Sequence, residues 1–271
     1  MRSMIELSGI SKSYGTGATR VPAIGNVSFS VAAGEFVSIV GPSGCGKSTI
    51  LNMIAGFLPP TSGTLSVDGI PVAAGSVPQG LGYIFQKDTV LPWLTVGDNI
   101  GLGLRYRHEQ KLRIERKVAD LLAMAGLSGY EKLYPHQLSG GMRQRVALLM
   151  TLACDPAVLL LDEPFGALDT HTKIVLHKEL LDIWRRLKQT IVMVTHDLDE
   201  AVTLSDRVIV LSAPPSRLIL DHRVSIPHPR DVFSVREQEA FAGNVRAVWH
   251  VLGDEFRRNQ AFDRIVTGSA A

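Results

Sequence analysis

The sequence predicts an α/β protein with a mostly parallel sheet, and three observations support this. Short apolar runs rich in β-branched residues recur along the chain, as is typical of strands buried on both faces. Segments with apolar residues at helical spacing lie between them, and strands that alternate with helices favour a parallel sheet. The apolar run at residues 36–40 leads directly into a glycine-rich segment at residues 41–48.

The elements are predicted in chain order from these periodicities. Strands are predicted at residues 4–7, 27–31, 36–40, 65–67, 81–85, 157–161, 190–195 and 207–211. Helices are predicted at residues 49–57, 112–125, 141–153 and 171–188. Pro59-Pro60 ends the first helix, because proline cannot continue the helical hydrogen bonds. The helix at 112–125 is expected to present one apolar side, made of Leu112, Val118, Leu121, Leu122 and Ala125.

The domain organisation follows from changes of composition. Polar, basic helical segments from residue 87 onward predict a helical insertion at about 87–153 within a main domain at 1–225. Residues 226–271 are predicted to form a C-terminal helical extension. Its apolar residues recur every three or four positions: Phe241, Val245, Val248, Leu252 and Phe256. This amphipathic stripe is expected to pack on the core, and a regulatory or partner contact is the alternative.

Composition and charge exclude several classes of protein. The 271 residues are 45% hydrophobic and 20% charged, as in globular domains, and the net charge of +2 gives no strong field for nucleic acid. Two cysteines, Cys45 and Cys154, do not suggest a disulfide framework, which fits a reducing cytoplasm. The N-terminus lacks a signal-peptide pattern. The apolar stretch 146–161 is interrupted by Asp155-Pro156, so we expect no membrane-spanning segment.

The segment after the strand at 36–40 has the pattern of a phosphate-binding loop. It consists of Gly41, Pro42, Ser43, Gly44, Cys45, Gly46, Lys47 and Ser48. Glycines let backbone N–H groups surround phosphate oxygens, Lys47 is expected to reach the β- and γ-phosphates, and Ser48 to ligate Mg²⁺. An ordinary glycine-rich turn is the alternative. Cys45 is expected to pack as a small residue, with a redox switch as the alternative.

Two acids follow the apolar run that ends at Leu161. Asp162 and Glu163 lie at the carboxyl end of a predicted buried strand, where ligands bind in open α/β sheets. We expect Asp162 to hold Mg²⁺ through water and Glu163 to orient or deprotonate an attacking water. A helix cap at the sheet edge is the alternative.

A third run lies between these two elements. Its residues are Leu138, Ser139, Gly140, Gly141, Met142, Arg143, Gln144 and Arg145. Ser139, Gly140 and Gly141 precede a helix predicted to start near Met142 and form a second helix N-terminus suited to an anion. A Ser-Gly-Gly linker would not explain the arginines and the glutamine that follow. Together with the phosphate loop and the paired acids, this run resembles the signature of the ATP-binding cassette (ABC) family.

The resemblance covers about residues 5–213 and implies a fold and a set of roles. The implied fold is a RecA-like P-loop NTPase core with an N-terminal antiparallel β subdomain and an inserted α-helical subdomain. It implies ATP and Mg²⁺ as cofactors, with Ser48, Gln86 and Asp162 at the metal and Glu163, His196 and Gln86 in hydrolysis. The implied nucleotide contacts are Tyr14 on adenine, residues 41–48, Thr49, and, across a dimer, Ser139, Gly140, Gly141 and Asp169.

The same resemblance implies partners and a place in the cell. In the family, the signature of one subunit covers ATP bound to the other, and the loop Gly166-Ala167-Leu168-Asp169 crosses the dimer interface. A single set of motifs therefore implies a second ATPase subunit, most simply a homodimer. Transmembrane permease subunits and a periplasmic or lipid-anchored substrate-binding protein complete the complex, with this chain peripheral on the cytoplasmic face of the membrane. No nucleic-acid partner is expected.

Finer features suggest the importer group for nitrate, taurine and aliphatic sulfonates. They are Phe85-Gln86, the run Leu91-Pro92-Trp93-Leu94-Thr95-Val96, and the pair Asp98-Asn99. Departures at residues 149–152 and at Ser216 weaken the assignment to one substrate. An importer for another small solute, such as a pyrimidine precursor, is the alternative, and a non-transport ABC ATPase is a further one.

Three groups of residues outside the motifs remain to be interpreted. Trp93 and its neighbours are expected to line a groove for a membrane subunit, with internal packing of the loop as the alternative. Basic residues between 105 and 117 alternate with acids and predict a solvated helix face. His171 and His177 are likewise predicted to lie on a solvated face of their helix.

Overall fold

The computed structural model describes residues 2–87 and 89–268, which divide into two units. The first unit combines the chain up to Pro78 with the chain from Thr190 onward, and the second unit is Gln79–Gln189. The second unit therefore contains the predicted insertion at 87–153 together with flanking segments.

The first unit begins with a β-rich segment. Its elements are β1 (Ser3–Tyr14), β2 (Val21–Ala32), β3 (Phe36–Val40), α1 (Lys47–Ile54), β4 (Ser62–Val67) and β5 (Ile70–Pro71). All five residues of β3 are buried, as its apolar composition predicts. Strands β1 and β2 are far longer than predicted, because polar residues alternate with the buried apolar ones and leave only short continuous apolar runs in the sequence.

The second unit is mostly helical. Its elements are β6 (Leu81–Ile84), α2 (Val96–Ile100), α3 (Leu102–Tyr106), α4 (Lys111–Met124), α5 (Gly140–Leu152), β7 (Val158–Asp162) and α6 (Thr170–Leu187). Strands β6 and β7 are parallel, with Ile84 opposite Leu161. The helices share a core that includes Ile100, Leu122 and Leu149.

The first unit resumes with β8 (Thr190–Val194), α7 (Leu198–Leu204), β9 (Arg207–Leu211), β10 (Ser216–Arg223) and α8 (Glu239–Gly268). Its strands are arranged in the order β5-β4-β1-β2-β10-β9-β3-β8. Strand β3 is parallel to both β8 and β9, whereas β1 pairs with β2 and β4 in antiparallel orientation. The α/β class with an N-terminal antiparallel segment is confirmed.

Helix α8 packs on the first unit through most of the predicted apolar stripe, but Phe256 is 43% exposed, so its assignment to the packed side is wrong. Val248 and Leu252 lie in a cluster with Val208 and Val210 of β9, and Phe241 packs against Val202 of α7. These contacts attach the C-terminal extension to the first unit. None of the helices in the described ranges has the length and apolarity that crossing a bilayer requires.

Several detailed predictions were wrong. Leu112 was assigned to the apolar side of its helix but is 59% exposed, because that side begins at Ile114. His177 was assigned to a solvated face but is 1% exposed, with its ring 4.8 Å from that of Phe165 in an edge-to-face contact. Helix α5 starts at Gly140 rather than near Met142, since Ser139 is its N-cap.

Candidate functional site

The phosphate loop of the first unit joins β3 to α1. Gly46 is the N-cap of α1 with φ of +90°, and a Cβ there would lie 3.1 Å from Ile24 Cγ1, so both the backbone and the space favour glycine. Ser43, Gly44 and Ser48 are exposed, while Cys45 is fully buried. The loop therefore presents small residues and backbone to solvent at the N-terminus of α1, which suits an anion.

Lys47 is held inside this loop. Its side chain is 7% exposed, and Nζ donates to the carbonyl oxygens of Gly41 at 2.9 Å and Pro42 at 3.0 Å. The ammonium group is thus fixed among backbone oxygens at the place where a phosphate would be bound. Burial raises the pKa of the Cys45 thiol, and the positive charge of Lys47 opposes this shift. A buried thiol that keeps its proton is poorly reactive, which favours the packing interpretation of Cys45.

Two further predicted residues lie near the loop within the first unit. The hydroxyl of Tyr14 is 3.2 Å from Thr49 Oγ1 in α1, and the Tyr14 side chain is 45% exposed. His196 follows β8, and the pairing of Ile39 with Val194 places it at the same sheet edge as Gly41. An exposed aromatic ring and an exposed imidazole therefore flank the loop.

The second unit holds the predicted acids. Asp162 is the last residue of β7 and is 9% exposed, and its Oδ2 accepts a hydrogen bond from the Tyr83 hydroxyl at 3.3 Å. Gln86 Nε2 donates to Glu163 Oε2 at 3.1 Å. The register of β6 and β7 explains this contact, since Gln86 and Glu163 each lie two residues beyond the pair Ile84–Leu161.

The backbone at Glu163 is unusual. Its φ is +46°, in the left-handed region that costs a non-glycine residue about 1–2 kcal/mol. Gly166 N–H donates to the Glu163 carbonyl at 3.2 Å, so a tight turn follows the acid. Such strain is concentrated at functional sites, where it fixes the direction of a side chain.

The residues predicted to act across a dimer also lie together in the second unit. Ser139 Oγ accepts from Met142 N–H at 3.3 Å and caps α5, and Arg143 Nη1 donates to Leu138 O at 2.8 Å. Asp169 caps α6 by accepting from Thr172 N and Thr172 Oγ1. These hydrogen bonds to Thr172 lower the pKa of Asp169.

Close packing joins the starts of α5 and α6. A Cβ at Gly141 would lie only 2.5 Å from Thr172 Cγ2, so glycine is required there. An ion pair between Arg145 Nε and Glu179 Oε2 at 2.9 Å connects the same two helices further along. Ser139 and Gly140 remain exposed beside Asp169.

The loop around Trp93 combines the two interpretations made from the sequence. Asn99 is fully buried, its Oδ1 accepts from Leu91 N–H at 2.8 Å, and its Nδ2 donates to Leu94 O at 3.1 Å. Trp93 itself is 70% exposed. Asn99 therefore holds the loop together from inside. The Trp93 side chain is not packed inside the loop, so the alternative of internal packing is wrong for Trp93. The basic residues Arg105, Arg107, Lys111 and Arg113 are exposed, as a solvated face requires.

Tyr83 was missed by sequence reasoning as part of this site. Its ring lies 4.3 Å from that of Phe85, and its hydroxyl contacts a carboxylate 79 residues later in the chain. The sequence places an aromatic residue two positions before the end of the strand predicted at residues 81–85. It does not indicate that this residue contacts Asp162.

Comparison with known proteins gives a consistent result. A family profile described as ABC transporter matches residues 24–166. The aliphatic sulfonates import ATP-binding protein of Bacillus cereus is 42% identical over 238 residues, which cover 87% of this chain and 92% of that protein. The taurine import ATP-binding protein of Burkholderia pseudomallei is 40% identical over 236 residues, 86% of this chain and 90% of that protein.

The fold is likewise similar to that of a solved ATP-binding cassette. That structure is described as a dimeric, post-hydrolysis state bound to ADP and Pi. It superposes with a TM-score of 0.71 and 31% sequence identity, and covers 83% of this chain and 100% of the other.

Proposed function

This chain belongs to the ABC transporter family, and from that premise we propose that it is the ATP-hydrolysing subunit of an importer for a small anion. As a family member it is an ATP-binding ABC ATPase. The cargo class that we propose is an aliphatic sulfonate, taurine or nitrate. The catalytic part of this proposal rests on one observation, the hydrogen bond between Gln86 and Glu163. This bond forms at adjacent strand ends, beside Asp162.

The phosphate loop accounts for nucleotide binding. Residues 41–49 supply backbone N–H groups and the N-terminal end of α1, and Lys47 transfers its hydrogen bonds from Gly41 O and Pro42 O to the β- and γ-phosphates. Tyr14 stacks on the adenine. The loop thus offers backbone donors and one positive charge to the phosphates.

The donor set fits Mg²⁺. The Ser48 hydroxyl, the Asp162 carboxylate and the Gln86 amide offer oxygen ligands, which this hard cation prefers. Gln86 uses Nε2 to bond Glu163, so its carbonyl oxygen would be the atom available to a cation. Within residues 2–87 and 89–268 no cluster of three or more acidic, histidine or cysteine side chains could hold a metal alone. Mg²⁺ bound with substrate phosphates and water needs no such cluster, and it would neutralise phosphate charge.

Hydrolysis is assigned to residues at the strand ends. Phosphoryl transfer requires mainly positioning and charge stabilisation. Glu163 orients or deprotonates the attacking water, Gln86 senses the water and the metal, and His196 contacts the γ-phosphate. The hydrogen bond from Gln86 and the fixed backbone at Glu163 support the assignment, because both restrict where that carboxylate points.

The remaining assignments concern assembly. Ser139, Gly140 and Gly141 of one copy contact ATP bound to a second copy, with Asp169 at the interface. The homodimer binds transmembrane permease subunits on the cytoplasmic face of the membrane, and a substrate-binding protein outside delivers the cargo. Exposure of Ser139, Gly140 and Trp93 is consistent with both contacts. The domain limits 1–225, about 87–153 and 226–271 stay a prediction.

The similarity to the aliphatic sulfonates and taurine import ATP-binding proteins supports the cargo class. The cassette itself does not contact cargo, so its sequence discriminates poorly among small anions. An importer for a different solute, such as a pyrimidine precursor, is the second possibility. Purification of the membrane complex and identification of the ligand on its substrate-binding protein would decide between them.

The ATPase assignment is tested with Glu163→Gln. This variant keeps the side-chain volume but loses the base, so we expect intact ATP binding, turnover reduced by at least about 100-fold, and an ATP-dependent dimer in size-exclusion chromatography. Glu115→Gln, on an exposed face of α4, is the matched control and should hydrolyse ATP like the parent. Rapid turnover by Glu163→Gln would overturn the role of Glu163.

A further inference from the structure

Tyr83 lies on β6 with its hydroxyl against a residue of the proposed metal site. The hydroxyl donates to Asp162 Oδ2 at 3.3 Å across the parallel pair of strands β6 and β7. The Tyr83 ring lies against that of Phe85, the first residue after β6, at a centroid distance of 4.3 Å and an interplanar angle of 32°. Packing thus fixes the ring, and the ring fixes the position of the hydroxyl.

The Tyr83 hydroxyl is placed to act as a hydrogen-bond donor to Asp162. A neutral phenol offers one O–H, and an ionised carboxylate can only accept.

Asp162 needs such a constraint. The terminal torsion of an aspartate is broad, so the plane of its carboxylate is poorly defined by rotamer preference alone. The residue is 9% exposed, and a buried carboxylate requires hydrogen bonds to remain charged. A hydrogen bond from Tyr83 to Oδ2 fixes the plane of the Asp162 carboxylate. The direction in which Oδ1 points is then fixed as well.

We propose that Tyr83 is a positioning residue that orients Asp162 toward the hydrated metal of the bound nucleotide. The inference rests on the proposed function, in particular on Asp162 holding Mg²⁺ through water. Hydrogen-bond partners of this kind, one step removed from a metal, typically change metal affinity or activity by 10–100-fold when removed.

The test is Tyr83→Phe, which removes only the hydroxyl and keeps the ring that packs on Phe85. Tyr106→Phe is the matched control, because Tyr106 is 79% exposed at the end of α3. The measurement is Mn²⁺ binding to the full chain with a non-hydrolysable ATP analogue, followed by the electron paramagnetic resonance signal of free Mn²⁺. Analogue affinity in EDTA is measured in parallel.

We expect Tyr83→Phe to weaken Mn²⁺ binding about tenfold, with analogue affinity in EDTA equal to the parent. The Mg²⁺ concentration for half-maximal ATP hydrolysis should rise by a similar factor. Unchanged Mn²⁺ binding would overturn the inference, and so would an equal loss of analogue affinity in EDTA, since a packing defect would weaken both.

Asp162→Asn separates this inference from the proposed function. If Asp162→Asn binds Mn²⁺ as tightly as the parent, the metal role of Asp162 fails and the inference fails with it. If Asp162→Asn loses Mn²⁺ while Tyr83→Phe does not, only the role of Tyr83 is wrong.

Discussion

At the residue scale, the Lys47 ammonium lies among oxygen acceptors of its own loop. Its two hydrogen bonds to the loop carbonyls of Gly41 and Pro42 hold the charge at the N-terminus of α1. A lysine that is free in solvent loses rotamer entropy when it binds phosphate. Because folding already restricts the Lys47 side chain, less of that entropy remains to be lost on binding phosphate.

Lys47→Ala is therefore expected to weaken ATP binding strongly. Loss of a hydrogen-bonded charge costs about 1.5–3 kcal/mol, which corresponds to roughly a 10- to 150-fold higher Kd. Isothermal titration calorimetry with ATP measures the change. Lys178→Ala is the control, since Lys178 lies on an exposed part of α6, pairs with Asp182 across one helical turn and is outside the loop. An unchanged Kd for Lys47→Ala would contradict the role of the phosphate loop.

Sequence reasoning succeeds for residues whose chemistry is local. The phosphate loop needs small residues, a lysine and a hydroxyl in consecutive positions, and all of them are visible in the chain. It fails where the decisive neighbour is distant. His177 was placed in solvent because imidazole is polar, yet the ring of Phe165 packs against it. Tyr83 gave no sign of Asp162 for the same reason.

At the element scale, a buried arginine anchors the start of the C-terminal extension. Arg230 is 8% exposed and donates to the carbonyl oxygens of Val202, Thr203 and Ser205 at the end of α7, and to Ile226 O. Burial lowers its pKa to about 10, against the opposing charge of Asp206. The cation is placed at a helix C-terminus, where unpaired carbonyls and the helix dipole favour it.

Arg230→Lys should reduce the free energy of unfolding by about 2 kcal/mol. A single ammonium cannot reach both groups of carbonyls that the planar guanidinium joins, so buried acceptors would be left without donors. Urea denaturation followed by tryptophan fluorescence measures the change. Arg246→Lys, on the exposed side of α8, should leave the stability unchanged. Equal free energies of unfolding for Arg230→Lys and the parent would show that the hydrogen bonds of the Arg230 guanidinium do not stabilise the fold.

Elements with apolar runs were predictable, and those stabilised by charge pairs were not. Strand β3 was found because every residue is buried and apolar. Strand β10 was missed, since Arg217, Asp221 and Arg223 break its apolar pattern. In the fold, Arg207 of β9 donates to Asp221 and to Glu35, which satisfies the charges in place. The residue pattern within one strand does not show that its charges are paired with charges on a neighbouring strand.

At the scale of the whole molecule, the assembly that we propose follows from a single set of motifs. The chain has one phosphate loop, one Asp162–Glu163 pair and one signature run. If the signature acts on ATP bound to a second copy, each chain contributes half of two different sites. If it acted within its own chain, a monomer would be sufficient for hydrolysis.

A mixing experiment distinguishes these arrangements. At ATP concentrations below its raised Kd, Lys47→Ala leaves its own phosphate loop empty and keeps the signature, whereas Ser139→Arg fills the exposed N-terminus of α5 and keeps the phosphate loop. Each variant alone should be inactive. A mixed dimer holds one intact site, in which the loop of the Ser139→Arg chain meets the signature of the Lys47→Ala chain. Random pairing should then restore about one quarter of the parental ATPase rate, because half of the dimers are mixed and each has one of two sites.

The matched control mixes Lys47→Ala with the double variant Lys47→Ala/Ser139→Arg. No pairing of those chains contains an intact phosphate loop, so no turnover should return at any ratio. Recovered activity in the first mixture should also rise with the square of total protein concentration while dimers are scarce, as expected for a site shared by two chains. If the ATPase rate of the Lys47→Ala and Ser139→Arg mixture only equals the sum of the rates of the two variants alone, the shared site is contradicted. The signature would then act within its own chain.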